Sequence, residues 1–268
     1  MGIVIPQVIT PSKASGAQVI DGSLKFDETK SQHLKRTPSS AGNRKTHTLS
    51  CWVKRTKNTD GSAYFMILAA GSGSTNRSYV SFKDDDTLQS ASIVSGAVRD
   101  TVETSAVLRD AGIGWYHLVV SIDTTQSTAA DRVKIYVNGE LQSDSGTNPS
   151  QNDDSFINST NAHYIGETST GAEYFDGFMS QIYLIDGQQL GPEYFGFTDP
   201  LTNTWKPKKY TGTFGTNGFW LPMDGNSPIG QDKSGNGNDW TPVNFGGSVA
   251  LDSPQVSGAR PILNTTQG

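Results

Sequence analysis

VKIYVNGEL, residues 133–141, is the stretch that decides the fold. Val133, Ile135 and Val137 alternate with Lys134 and Tyr136, the two-residue period of a strand that buries one face. Asn138-Gly139 comes next, and both residue types accept the positive φ angles that a two-residue hairpin turn requires. The stretch therefore predicts a β-hairpin. Working outward, residues 48–54 place Leu49, Cys51 and Val53 on one face, and Leu24 and Phe26 alternate in the same way. Further strands are predicted at 64–70, 79–82, 89–94, 103–108 and 115–123, separated by turns containing Gly or Asp. So many short strands at regular intervals point to an all-β sandwich. In 178–185, Phe178, Ser180, Ile182 and Leu184 are expected to face one way and Met179, Gln181, Tyr183 and Ile185 the other. Both faces are largely apolar, which places the strand in the interior or under a covering segment.

The two ends read differently. Residues 1–20, with Pro6, Pro11 and Gly16, are expected to form an extended arm. MGIVIPQVIT has no basic residue ahead of its apolar ones, so no secretory signal is expected and synthesis in a cytoplasm is. After Leu190 the prolines at 192, 200, 207, 222, 228, 242, 254 and 261 leave room for few regular strands. Yet this part keeps Trp205, Tyr210, Phe214, Phe219, Trp220, Trp240 and Phe245, so it should pack against something. The expected organisation is an arm at 1–20, a sandwich at 21–195 and an irregular segment at 196–268, packed on the sandwich or on a neighbouring subunit.

Composition narrows the function. The net charge is −5, from 26 Asp and Glu against 21 Lys and Arg, so nothing favours nucleic acid as a partner. The longest apolar stretch, 64–70, is far short of the roughly 20 residues that cross a bilayer, so no membrane is expected. A lone Cys51 excludes an internal disulfide framework and reads as a small buried hydrophobe.

Taken in order, SLKFD (23–27), TLSCWVKR (48–55), VLRDAGIGWYHLVVSID (107–123), RVKIYVNGEL (132–141), YIGE (164–167) and YFDGFMSQIYLIDGQQL (174–190) resemble the successive signatures of a laminin-G-like, concanavalin A-like domain. The resemblance spans roughly 20–195 and implies an antiparallel jelly roll. RTPSSAGNRKT (36–46), INSTNAHYIG (157–166) and KPKKYTGTFGTNGFWL (206–221) resemble structural proteins of marine tailed phages. That likeness implies a non-enzymatic virion protein exposed on the particle as a decoration or fibre component. Its partners would be other virion proteins and copies of itself, a trimer by analogy. The alternative is a lectin-like module that grips host glycan. FWLPMDGNSPIGQDKSGNGNDWT (219–241) resembles the opening strand of laminin-G-like domains, here placed last, and is expected to add an outer strand to the sandwich, either its own or a neighbouring subunit's.

Reactive sites are sparse. Glycosidases of this fold need two carboxylates about 5 Å apart for a retaining mechanism. Glu28, Glu103, Glu140, Glu167, Glu173 and Glu193 are scattered, and none has a second carboxylate two residues away. His33, His47, His117 and His163 stand in no catalytic motif and read as structural. Ser50 has no recognisable base partner in the sequence. Asp84-Asp85-Asp86 and Asp153-Asp154 could hold calcium but read better as solvated turns. Gly71-Ser72-Gly73 is a loop. No catalytic, metal or cofactor residue is assigned.

Overall fold

The computed structural model describes residues 16–245 apart from Asp60, Ser62, Asp110 and Ile113. The expected arm at 1–20 lies mostly outside the described residues, as do Pro254 and Pro261. The strands run, in chain order, β1 (Leu24–Phe26), β2 (His33–Arg36), β3 (Thr46–Arg55), β4 (Phe65–Gly71), β5 (Arg77–Phe82), β6 (Thr87–Val94), β7 (Ala97–Val107), β8 (Tyr116–Asp123) and β9 (Val133–Val137). They continue with β10 (Glu140–Leu141), β11 (Asp144–Thr147), β12 (Ala162–Ile165), β13 (Gly177–Asp186), β14 (Gly196–Asp199), β15 (Thr204–Pro207), β16 (Phe219–Leu221) and β17 (Thr241–Val243).

Two sheets build the sandwich. The first has the order β1-β13-β3-β8-β9-β10, with β16 also paired to β13; the second has the order β11-β7-β6-β5-β4-β12-β2-β17. Neighbours are antiparallel, and the non-sequential order is that of a jelly roll. Leu49, Cys51 and Val53 from β3 meet Leu118, Val120, Val133, Ile135 and Val137 in the core between the sheets. Burial also pushes the Cys51 thiol pKa upward, so it stays an un-ionised apolar filler.

The predicted hairpin is present, with Glu140 opposite Val137 and φ of 51° and 87° at Asn138 and Gly139. Gly139 is required twice over. Besides its positive φ, a Cβ there would lie 2.5 Å from the Trp205 ring. Strand β7 begins earlier than its apolar pattern suggested. Asp100 and Thr104 are among its buried residues, Asp100 opposite Ser92 of β6 and Thr104 accepting from the Leu88 N–H, so buried polar groups hide the period.

One sequence expectation fails at β13. Strict alternation breaks because Gln181 and Ile182 together oppose the single residue Cys51, a β-bulge with Gln181 at φ 51°. Met179 therefore joins Ile182 and Leu184 in the core, whereas Tyr183 and Ile185 belong to a second apolar cluster on the outer side of the sheet. Residues beyond 195 supply strands of three or four residues, among them β16 in the first sheet and β17 in the second. Among the described residues no helix is long and apolar enough to cross a membrane.

Candidate functional site

A third layer covers the outer face of the first sheet. Leu190, Phe195, Tyr210, Phe214 and Trp220 pack on Val119, Tyr183 and Ile185. The β14-β15 hairpin sets Trp205 on the His117 ring, with centroids 5.9 Å apart and planes 25° apart. The expectation that Ser50 lacks a base partner is corrected here, because the Ser50 hydroxyl lies 2.9 Å from His117 Nε2. Sequence distance hid the pair, which forms only when β3 and β8 adjoin. Its chemistry is nevertheless inert. Trp205 Nε1–H is a donor only, and it donates to His117 Nδ1 at 3.0 Å. The ring proton must then sit on Nε2, which donates to Ser50 and cannot accept the serine proton. Burial also pushes the imidazole pKa down to about 3, so the ring stays neutral at ordinary pH.

Segments 36–46, 157–166 and 206–221 meet at one buried carboxylate, Asp186 at the end of β13. Asp186 Oδ1 accepts from the Asn43 N–H at 2.7 Å and from Asn158 Nδ2 at 3.1 Å, and Oδ2 accepts from the Asn217 N–H at 2.9 Å. Asn158 and Asn217 also donate to the Asn43 and Ser40 carbonyls, at 2.9 Å each. This is a structural knot joining three loops. His163 Nε2 accepts from the Asn158 N–H at 2.9 Å. Burial, reinforced by the charge of His163, pushes His47 down to about 4; burial does the same to His163.

The acidic turns are not all solvated. Asp86 is 4% exposed and accepts from Arg55 Nη1 at 2.7 Å and from the Thr59 N–H at 2.8 Å. Burial works to raise its pKa, but those hydrogen bonds and the Arg55 charge prevail and hold it below the usual range. Asp85 accepts from Thr87, while Asp153 and Asp154 pair with Arg99 and Arg44. These oxygens are already engaged by protein donors, which would compete with coordination of a cation. Among the described residues no group of three or more His, Cys, Asp or Glu could hold a metal ion.

The glutamates are less scattered in space than in sequence. Glu28 and Glu173 line one open cavity of ≈ 280 Å³ with Tyr64 and Tyr174. Glu28 is paired with Lys57, and burial lifts the Glu173 carboxyl above its usual range. Glu103 pairs with Lys83 at 3.0 Å, and Glu167 with His33 at 2.8 Å.

A larger open cavity, ≈ 620 Å³, opens where the covering layer meets Trp220. Trp220 is half-buried and firmly held: its ring lies parallel to Tyr183 at 5.7 Å (4°), its Nε1–H donates to Gln181 Oε1 at 2.9 Å, and its backbone N–H donates to Asp232 at 2.9 Å. Tyr210, Phe214, Thr211, Thr213, Ser234 and Asn236 share the lining. The aromatic segment thus divides. Trp205 serves packing, while Trp220, half-buried, lines an open space.

Two antiparallel sheets face to face, closed as a jelly roll, define a lectin-type sandwich. Residues 27–189 match the family model Laminin_G_3, described as the concanavalin A-like lectin/glucanases superfamily, and the chain belongs to that family. No curated protein sequence matches it. Among solved structures it is similar to the native heptameric SAP-like pentraxin of Limulus polyphemus, at 17% identity over 63% of this chain and 76% of that one, with TM-score 0.44. It is also similar to domains LG4-5 of mouse laminin alpha1, at 12% identity over 73% of this chain and 47% of that one, TM-score 0.44. A third is the CBM40 of the Ruminococcus gnavus IT-sialidase, at 15% identity over 64% of this chain and 93% of that one, TM-score 0.43. At these identities and scores the likenesses carry no functional argument.

Proposed function

We propose that this protein is a non-enzymatic component of a tailed-phage particle surface that engages glycan at the cavity beside Trp220. The observation that carries the glycan reading is that cavity, in which a firmly held indole lies among hydroxyl and amide side chains. Such a mixture suits a sugar, whose C–H faces pack on aromatics while its hydroxyls exchange hydrogen bonds. The virion role is supported by the likeness of residues 36–46, 157–166 and 206–221 to phage structural proteins, and copies of itself and other particle proteins are the partners it implies. The non-enzymatic reading is supported by the Ser50–His117–Trp205 chain, whose proton arrangement cannot activate the serine.

Screening the purified chain on a glycan array is expected to give saturable binding. Incubation with cell-wall and capsular polysaccharides is expected to release no reducing ends. Turnover of any of these polymers would overturn the non-enzymatic reading, and a blank array would overturn the glycan reading. Antibody labelling of intact particles tests the location separately.

A further inference from the structure

We propose that the cavity beside Trp220 selects an acidic sugar, whose ring packs against the indole and whose carboxylate is held by Lys209 and Lys233. This rests on the glycan reading above and adds the charge of the ligand. The lining contains two lysines and no Asp or Glu, in a chain whose net charge is −5. Neither lysine makes a salt bridge among the described residues, whereas Arg44, Arg55 and Lys83 pair with Asp154, Asp86 and Glu103. Both side chains are exposed, so their charge is available to a ligand.

Both lysines are anchored at Trp220, Lys209 by its ammonium and Lys233 by its backbone. The Lys209 ammonium stands 4.4 Å from the centroid of the Trp220 ring, on a cation–π contact. Lys233 is tethered to the same residue through its backbone, its N–H donating to the Trp220 carbonyl at 2.8 Å. With one indole face taken by Tyr183, a ligand approaches where Lys209 now rests. A neutral sugar would displace that ammonium without replacing its electrostatic partner. A carboxylate on the sugar offers it a stronger, charge-assisted one. The rim also offers uncharged groups for the remaining hydroxyls, since Thr211, Thr213, Ser234 and Asn236 line the opening. Asn236 is held by its amide nitrogen, which donates to the Gly215 and Gly218 carbonyls at 2.7 and 2.9 Å, and that fixes the side chain at the rim.

The test uses the full chain, titrated calorimetrically and by tryptophan fluorescence with oligogalacturonate, with a neutral galacto-oligosaccharide of equal length and with a single-stranded oligonucleotide. Oligogalacturonate is expected to bind tightest, with an affinity that falls as salt rises. Lys209→Ala and Lys233→Ala are each expected to weaken it roughly tenfold, as the loss of one charge-assisted contact should. Both positions are exposed, so an unchanged thermal melt accompanies the loss. Equal affinity for the acidic and neutral oligomers, or no effect of either substitution, overturns the acidic selection and leaves the glycan reading standing. Tighter binding of the oligonucleotide overturns it in favour of base stacking. Failure of every saccharide to bind overturns the selection and the glycan reading together.

Discussion

Lowering the pH from 6.5 to about 4 is expected to remove most of the folding free energy. Three histidines are buried with pKa values pushed down by loss of water: His117 to about 3, and His47 and His163 to about 4. In the unfolded chain each titrates near 6.5, so between 6.5 and the folded value the unfolded state binds more protons, and stability falls as pH falls. Full stability is present above 6.5. Each unit of separation is worth about 1.4 kcal/mol, which gives on the order of 3 kcal/mol for His47 alone. The three together approach the roughly 5–15 kcal/mol that holds a typical domain. Asp100, Glu173 and Asp176, whose carboxyls burial lifts, work in the opposite direction within the same window, but they are less deeply buried than the histidines. Chemical denaturation at stepped pH should show the unfolding midpoint shrinking steadily below 6.5. A midpoint as high at pH 4.5 as at pH 7 would mean that these rings are not buried neutral.

Phe219→Ala is expected to cost about 3–5 kcal/mol, the usual result of emptying a large aromatic site in a core. Phe219 is fully buried, belongs to the main core and meets Trp240 edge-on at 5.0 Å. Both residues come from the Pro-rich part of the chain. Were that part a loose appendage, the same substitution would cost no more than about 0.5 kcal/mol, as exposed positions do. Urea denaturation of the variant against the parent decides between the two outcomes.

The sequence announced the sandwich because its inner faces obey a two-residue period. Leu49, Cys51 and Val53, or Val133, Ile135 and Val137, carry that signal unaided, and Asn138-Gly139 names its own turn. It failed where polar residues face inward, as Asp100 does in β7, and where Gln181 inserts an extra residue into β13, since a bulge leaves no mark on composition. The likeness of residues 219–241 to an opening strand pointed to a real strand, Phe219–Leu221, paired with β13. The candidate site was less legible. Trp220 and Lys209 were visible as residue types, but the placing of Trp220 depends on Tyr183, which lies 37 positions before it and joins it only through the β13–β16 pairing. The Ser50–His117 contact, 67 residues apart, was hidden for the same reason.

Residues 196–245 form an integral layer that builds the cavity, and amide hydrogen exchange of the native protein measures this most directly. The Asn217, Trp220, Lys233 and Trp240 amides have acceptors at Asp186, Asp232, the Trp220 carbonyl and the Gly230 carbonyl, respectively. They are expected to exchange as slowly as those of β3 and β13, opening only when the whole sandwich unfolds. Exchange of these four amides orders of magnitude faster than the central strands would contradict it.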